Sequence, residues 1–143
     1  MHRLNGLFFF GIFLFSFLAM AACEKESTAP AASTAAALVG RWELTHTTGG
    51  LTGHVLTADP NRKREIIFTA DGQAELIVNG IITGISPYTL TQALSRTTRQ
   101  SRPYLAYGPD GPDTQQYIEQ ISPTSLILAQ DFEDGISSYF IRR

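Results

Sequence analysis

The 143-residue chain has a single cysteine, Cys23, so it cannot form an internal disulfide. Its stability must come from packing alone. It has three histidines, at positions 2, 46 and 54, and they do not fall at any metal-ligand spacing. There is no G-x-S-x-G, P-loop or H-E-x-x-H signature. Asp131 to Gly135 lacks the alternating acidic spacing of a calcium loop and reads as a hairpin turn. Glu65 and Glu75 alternate onto the solvent face and do not make a glycosidase pair. There is no basic excess either. With 11 Lys and Arg against 13 Asp and Glu, nucleic acid is excluded as the main partner. We therefore expect a non-catalytic protein with no metal and no cofactor. Only one long apolar run is present, Leu7 to Ala22, and it falls short of the roughly 20 residues a membrane span needs.

That run belongs to a three-part N-terminus. Met1 to Gly6 carries Arg3 and no acid, the apolar stretch follows, and Ala21 and Ala22 lead into Cys23. This is the order of a secretory signal. Met20-Ala21-Ala22-Cys23 resembles a bacterial lipobox, with Met20 where that family prefers Leu. The resemblance implies that residues 1–22 are removed and that Cys23 becomes an acylated first residue. The alternatives are ordinary cleavage leaving a free thiol, or an uncleaved anchor. One buried acyl chain binds a membrane marginally, whereas two or more hold it firmly, at about 0.8 kcal/mol per CH₂. Glu24 in place of Asp implies, by the same resemblance, sorting to the outer membrane.

Beyond Cys23 the composition changes. Glu24 to Ala37 holds Ala, Ser, Thr and Pro but no large apolar residue, too little to offset chain entropy. We read residues 23–37 as a flexible tether, with transient helicity over Ala31 to Ala37. Fully extended, Glu24 to Ala37 reaches roughly 45–50 Å.

Residues 38–143 read as one all-β domain. Val39 to Thr47 alternates, placing Gly40, Trp42, Leu44 and His46 on one face. Further strands are expected at Arg64–Thr69, Gln73–Asn79, Tyr88–Gln92, Pro103–Tyr107, Gln115–Ile121, Ser125–Gln130 and Ile136–Arg142. Asp71-Gly72, Asn79-Gly80, Asp110-Gly111 and Asp134-Gly135 mark turns between them. Parity settles one hairpin. A two-residue loop at Asp71-Gly72 would put Phe68 on the face of Glu75. A three-residue loop, Ala70 to Gly72, sets Phe68 against Ala74 and Ile66 against Leu76, with Gly72 left-handed. In the next hairpin Gly84 and Pro87 predict a bulge or an edge. About eight short strands form a small up-and-down antiparallel meander, and such a sheet removes its edges by closing into a barrel.

Gly40-Arg41-Trp42 is similar to the G-x-W of the lipocalins. The layout of "LVGRWEL", "FTADG", "SPYTLT" and a closing "SSYFIRR" resembles the bacterial lipocalin-like domain. The chain is shorter than a full lipocalin and lacks the middle T-D-Y motif. The resemblance implies a lipocalin-like barrel in which a basic residue of the last strand, Arg142 or equally Arg143, packs over Trp42. A guanidinium so placed contributes about 0.5–2 kcal/mol.

Trp42, His46, Phe68, Leu76, Tyr88 and Leu90 are the candidates for ligand contact, against a reading in which they simply fill the barrel. Tyr104, Tyr107 and Tyr117 fit either a barrel mouth or cross-strand pairs. Arg62-Lys63-Arg64 and the Arg96, Arg99, Arg102 group fit either lipid head groups or solvated loops. The expected function is that of an envelope lipoprotein anchored in the membrane through Cys23 and binding a small apolar or amphipathic molecule. The alternative is a structural or interaction module with an envelope protein partner.

Overall fold

The computed structural model describes residues 29–107 and 116–143. Cys23, the leader and the Asp110-Gly111 turn lie outside them. One helix, α1 (Ala29–Leu38), precedes nine strands: β1 (Gly40–Gly49), β2 (Leu56–Thr57), β3 (Arg64–Phe68), β4 (Gln73–Val78), β5 (Ile81–Leu94), β6 (Ser101–Tyr107), β7 (Gln116–Ile121), β8 (Ser125–Gln130) and β9 (Ile136–Arg142). Every pairing is antiparallel. β1 pairs with β3, the meander runs in order to β9, and β9 returns to β1. The all-β fold is thus a closed eight-stranded, up-and-down barrel of lipocalin-like form. The short β2 is an addition to it, held on the far end of β1 through His46–Thr57 and Thr47–Leu56.

Turn chemistry sets the registers. Phe68 pairs with Ala74 and Ile66 with Leu76 across the three-residue loop, and Gly72 has φ 83°. Thr69 N–H donates to the Gln73 carbonyl at 2.9 Å, closing that loop. Asn79 and Gly80 both take positive φ, 52° and 81°, and form a two-residue turn between Val78 and Ile81. Such a turn matches the strand twist. β5 bulges where the register passes from Leu76–Gly84 to Ile77–Ile82, leaving Thr83 as the extra residue. The strand also extends well before Tyr88: the bulge falls beside Gly84, and Pro87 stays in register opposite Gln73.

The helix Ala29–Leu38 takes up the second half of the stretch expected to be a tether and ends on the first residue of the expected domain. Alanine has the highest helix propensity, and Pro30 falls in the first turn, where its missing N–H costs nothing. Packing decides the matter: Leu38 is completely buried at one end of the barrel. It joins Trp42, Phe68, Leu105, Ile118 and Leu126 in a core that fills this end, with Tyr88 and Leu90 packed against it. Phe68 meets Tyr88 edge-on at 5.1 Å.

The last turn of α1 is tied to the barrel by two side chains. Trp42 Nε1–H donates to the Leu38 carbonyl at 2.8 Å. Arg142 Nη1 donates to Val39 O at 2.8 Å and Nη2 to Ala37 O. Carbonyls at a helix C-terminus have no partners within the helix, and a cation there also meets the negative end of its dipole. The same guanidinium lies 4.1 Å from the Trp42 ring centroid. Gly40 is required beside it, since its φ is 141° and a Cβ would collide with Arg142 Nη1. The choice between the two closing arginines is therefore settled geometrically. Arg142 covers the indole, and Arg143 Nε turns outward to Glu43 at 2.6 Å.

Candidate functional site

Away from that filled end the barrel interior is hollow. A cavity of about 320 Å³ is walled by Leu44, Ile66, Leu76, Leu128 and Phe140, with Tyr107 reaching in from β6. Thr47, Ser86, Gln116 and Ser138 place hydroxyl and amide groups among them. The hollow follows from side-chain size. An eight-stranded barrel is just wide enough for its own side chains to fill it. Large rings fill one end, whereas Ala74, Ser86 and Ser138 leave space at the other. Its volume falls at the lower end of the range for small-molecule pockets, roughly 300–1,000 Å³. Tyr107 joins the two regions, its ring 6.4 Å from Phe68, and burial pushes its phenol up.

The six candidate contact residues divide between the two ends. Of the six, only Leu76 lines the cavity; it is 48% exposed because it stands at the opening. Trp42 and Phe68 are fully buried in the closed end, and Tyr88 and Leu90 pack there too. Tyr88 is fixed further by donating its hydroxyl to Thr69 O at 3.0 Å. His46 is displaced from the inward face that alternation assigns to it. The β1–β9 register shifts between Leu44 and His46, so Thr47 follows Leu44 into the cavity. His46 instead stacks on Tyr139 at 4.2 Å, and Tyr139 alternates with the cavity residues Ser138 and Phe140.

Several lining residues fall outside the six. Ser138 and Phe140 are legible from the alternation of β9. Ser86 is concealed by the Gly and Pro around it. Thr47 leaves no local signal, because a bulge is a property of two strands together.

The tyrosines separate as well. Tyr104 and Tyr117 form a cross-strand pair with centroids 5.8 Å apart, and only Tyr107 enters the cavity. Tyr104 also donates to Asp131, the centre of a buried polar cluster. Asp131 accepts from Ser95 Oγ at 2.7 Å, Arg96 N at 2.7 Å and both the N–H and the hydroxyl of Thr97. Burial alone would push the Asp131 carboxyl up. Together the donors outweigh it and hold the carboxyl well below the usual carboxylate range. Burial and this contact push the Tyr104 phenol up to about 12. The arrangement pins the β5–β6 loop onto the residue that follows β8. With every oxygen committed to the chain's own donors, Asp131 is a structural clasp.

A second charged cluster covers the outside of β1 and β3. Arg41 makes a two-bond contact with Glu65, at 3.0 and 2.7 Å, and Lys63 reaches both Glu43 at 2.9 Å and Glu65 at 3.1 Å. Glu65 lies on the outer face as its parity requires, yet it is only 4% exposed because these cations cover it. Hydrogen bonds from Arg143 and Lys63 hold the Glu43 carboxyl down to about 2. Among the described residues, no group of three or more His, Cys, Asp or Glu side chains is placed to hold a metal ion. Comparison with known proteins yields no matching family, no matching curated protein and no matching solved structure.

Proposed function

We propose that this chain is a lipid-anchored protein of the bacterial envelope whose lipocalin-like barrel holds a small apolar or amphipathic molecule. The cavity carries the binding half of the reading, with apolar walls and a few inward hydroxyl and amide groups. The anchoring half rests on the leader and Cys23. No catalytic step is assigned to the site. Its polar groups orient a ligand and do not activate a nucleophile.

Binding is tested by native mass spectrometry of the full-length protein exposed to envelope lipid extracts. Wild type should retain a ligand, and Ser138→Phe should retain none, because the new ring occupies the cavity. Equal retention by both would rule out this cavity as the site. Anchoring is tested separately. Radioactive palmitate should label wild type and not Cys23→Ala, and label persisting in the variant would overturn it.

A second reading, an interaction module, has its own observation. Ile81, Ile82 and Ile85 on β5 are 69%, 51% and 60% exposed. Photo-cross-linking from position 85 in cells should then yield one discrete adduct, and a diffuse smear would count against it.

A further inference from the structure

The barrel wall is parted beside the cavity. β3 pairs with β1 only through Gly40–Glu43, after which the partner of β1 on that side becomes β2. The chain between β2 and β3 spans the gap, and a second hollow of about 250 Å³ lies there. Leu44, Thr47 and Arg64 border both hollows, so the two adjoin. Arg62 lines the second one.

The three consecutive cations divide by their contacts, Arg62 and Lys63 lying just before β3 and Arg64 opening it. Lys63 points to the outer cluster and is bound by Glu43 and Glu65. Arg62 and Arg64 flank it and line the second hollow, Arg64 bordering the cavity as well. Both are exposed, and neither has an ion-pair partner among the described residues. The nearby acids do not neutralise them. Glu65 borders the cavity, but its carboxylate is taken up by Arg41 and Lys63. Asp59 lines the second hollow and accepts from Asn61 N at 2.9 Å without pairing with either arginine. Two uncommitted guanidiniums therefore stand where an apolar cavity meets its side opening. A guanidinium presents a planar fork of donors that matches carboxylate or phosphate oxygens, and such charge-assisted bonds are the strong ones.

We infer that the ligand is an amphipathic anion. Its alkyl part occupies the cavity and its carboxylate or phosphate head lies in the side opening, against Arg64 and Arg62. This rests on the ligand-binding reading above and specifies the class of molecule. An apolar tail alone would not use the arginines, and a cationic head would be repelled by them.

The test uses full-length protein held in nanodiscs of neutral phosphatidylcholine, exposed separately to decanoate, decyl phosphate and decanol. Retained probe is measured by mass spectrometry against empty nanodiscs. At least one anion should be retained about tenfold or more over decanol, the factor one charge-assisted hydrogen bond supplies. The stronger of the two anions distinguishes a carboxylate from a phosphate head. The double variant Arg62→Ala/Arg64→Ala should lose the preference while keeping decanol uptake, and Arg64→Lys should keep part of it. Equal retention of all three probes, or a preference that survives the double variant, would overturn the anionic class and leave the cavity as a neutral-ligand site. Failure to retain any probe would overturn this inference and the binding reading together.

Discussion

The two ends of the barrel use the same strands and differ in what the strands carry. At the closed end Trp42, Phe68, Leu105 and Leu126 are completely buried, and α1 seals them in through Leu38. Two polar side chains there engage the end of the helix and the residue after it: the indole N–H bonds Leu38 O, and the Arg142 guanidinium bonds Ala37 O and Val39 O. At the open end the inward positions include Ser86, Gln116 and Ser138, and space remains. Close packing is therefore concentrated at one end and open volume at the other. Eight strands allow either outcome, and side-chain volume at each layer decides between them.

The largest effect expected from this contrast is at Trp42. Trp42→Ala should destabilise the domain by about 3–5 kcal/mol, through lost burial and an unfilled cavity. Leu76→Ala, at the opening, should cost well under that, because Leu76 is half-exposed, and should weaken ligand retention instead. Chemical denaturation followed by circular dichroism measures both. Similar losses at the two sites would abolish the distinction between the ends.

Next in size is the Asp131 clasp. Asp131→Ala leaves Ser95 and the Arg96 and Thr97 N–H groups without their acceptor. It should cost at least about 1–3 kcal/mol, the penalty for one buried unsatisfied group. Hydrogen exchange should rise first in the Ser95–Gln100 loop and leave the Trp42 core protected. Exchange rising equally in both places would show that the clasp supports the whole barrel.

Arg142→Ala should cost about 0.5–2 kcal/mol from the lost contact with the indole, in addition to uncapping α1. Arg143→Ala should change stability far less, since its contact with Glu43 is exposed to solvent. Trp42 is the only tryptophan, so its fluorescence reports which arginine covers it. A shift in emission with Arg143→Ala and none with Arg142→Ala would reverse the assignment.

The smallest effects are in pH. Glu43, Glu65 and Asp131 have lowered carboxyl pKa values in the fold. Their contribution is complete above the ordinary carboxylate range and is lost as pH falls, for Glu43 between 4.5 and about 2. Tyr104 acts in the opposite direction. Its phenol is raised from 10.0 to about 12, so its contribution is present below pH 10 and lost as pH rises through about 12. Melting temperatures across this range should fall on both sides. Glu43→Gln should flatten part of the acid limb only.

Local patterns made much of the barrel legible. Ser125–Gln130 and Ile136–Arg142 are strands over the residues their composition indicates. The β3–β4 hairpin has the register that parity requires, because a one-residue slip would turn Ile66 and Phe68 to solvent. The site was less legible. Choosing ligand contacts by size and apolarity favours Trp42, Phe68, Tyr88 and Leu90, the residues that fill the closed end. A cavity is marked instead by small residues such as Ser86 and Ser138, whose significance depends on what stands opposite.

By itself the amino-acid sequence determined the alternation, the turns and hence the meander, because each is set by neighbours a few residues apart. It also determined that the fold would do without disulfides. Tertiary structure alone decided that His46 faces outward, since the β1 bulge arises from pairing with β9. It decided that Arg142 and not Arg143 covers Trp42, because strand register sets which side chain reaches the indole. It also separated Arg62 and Arg64 from Lys63 and placed them beside a hollow. The main cavity is what side chains from eight strands leave unfilled, and no single stretch of sequence contains it.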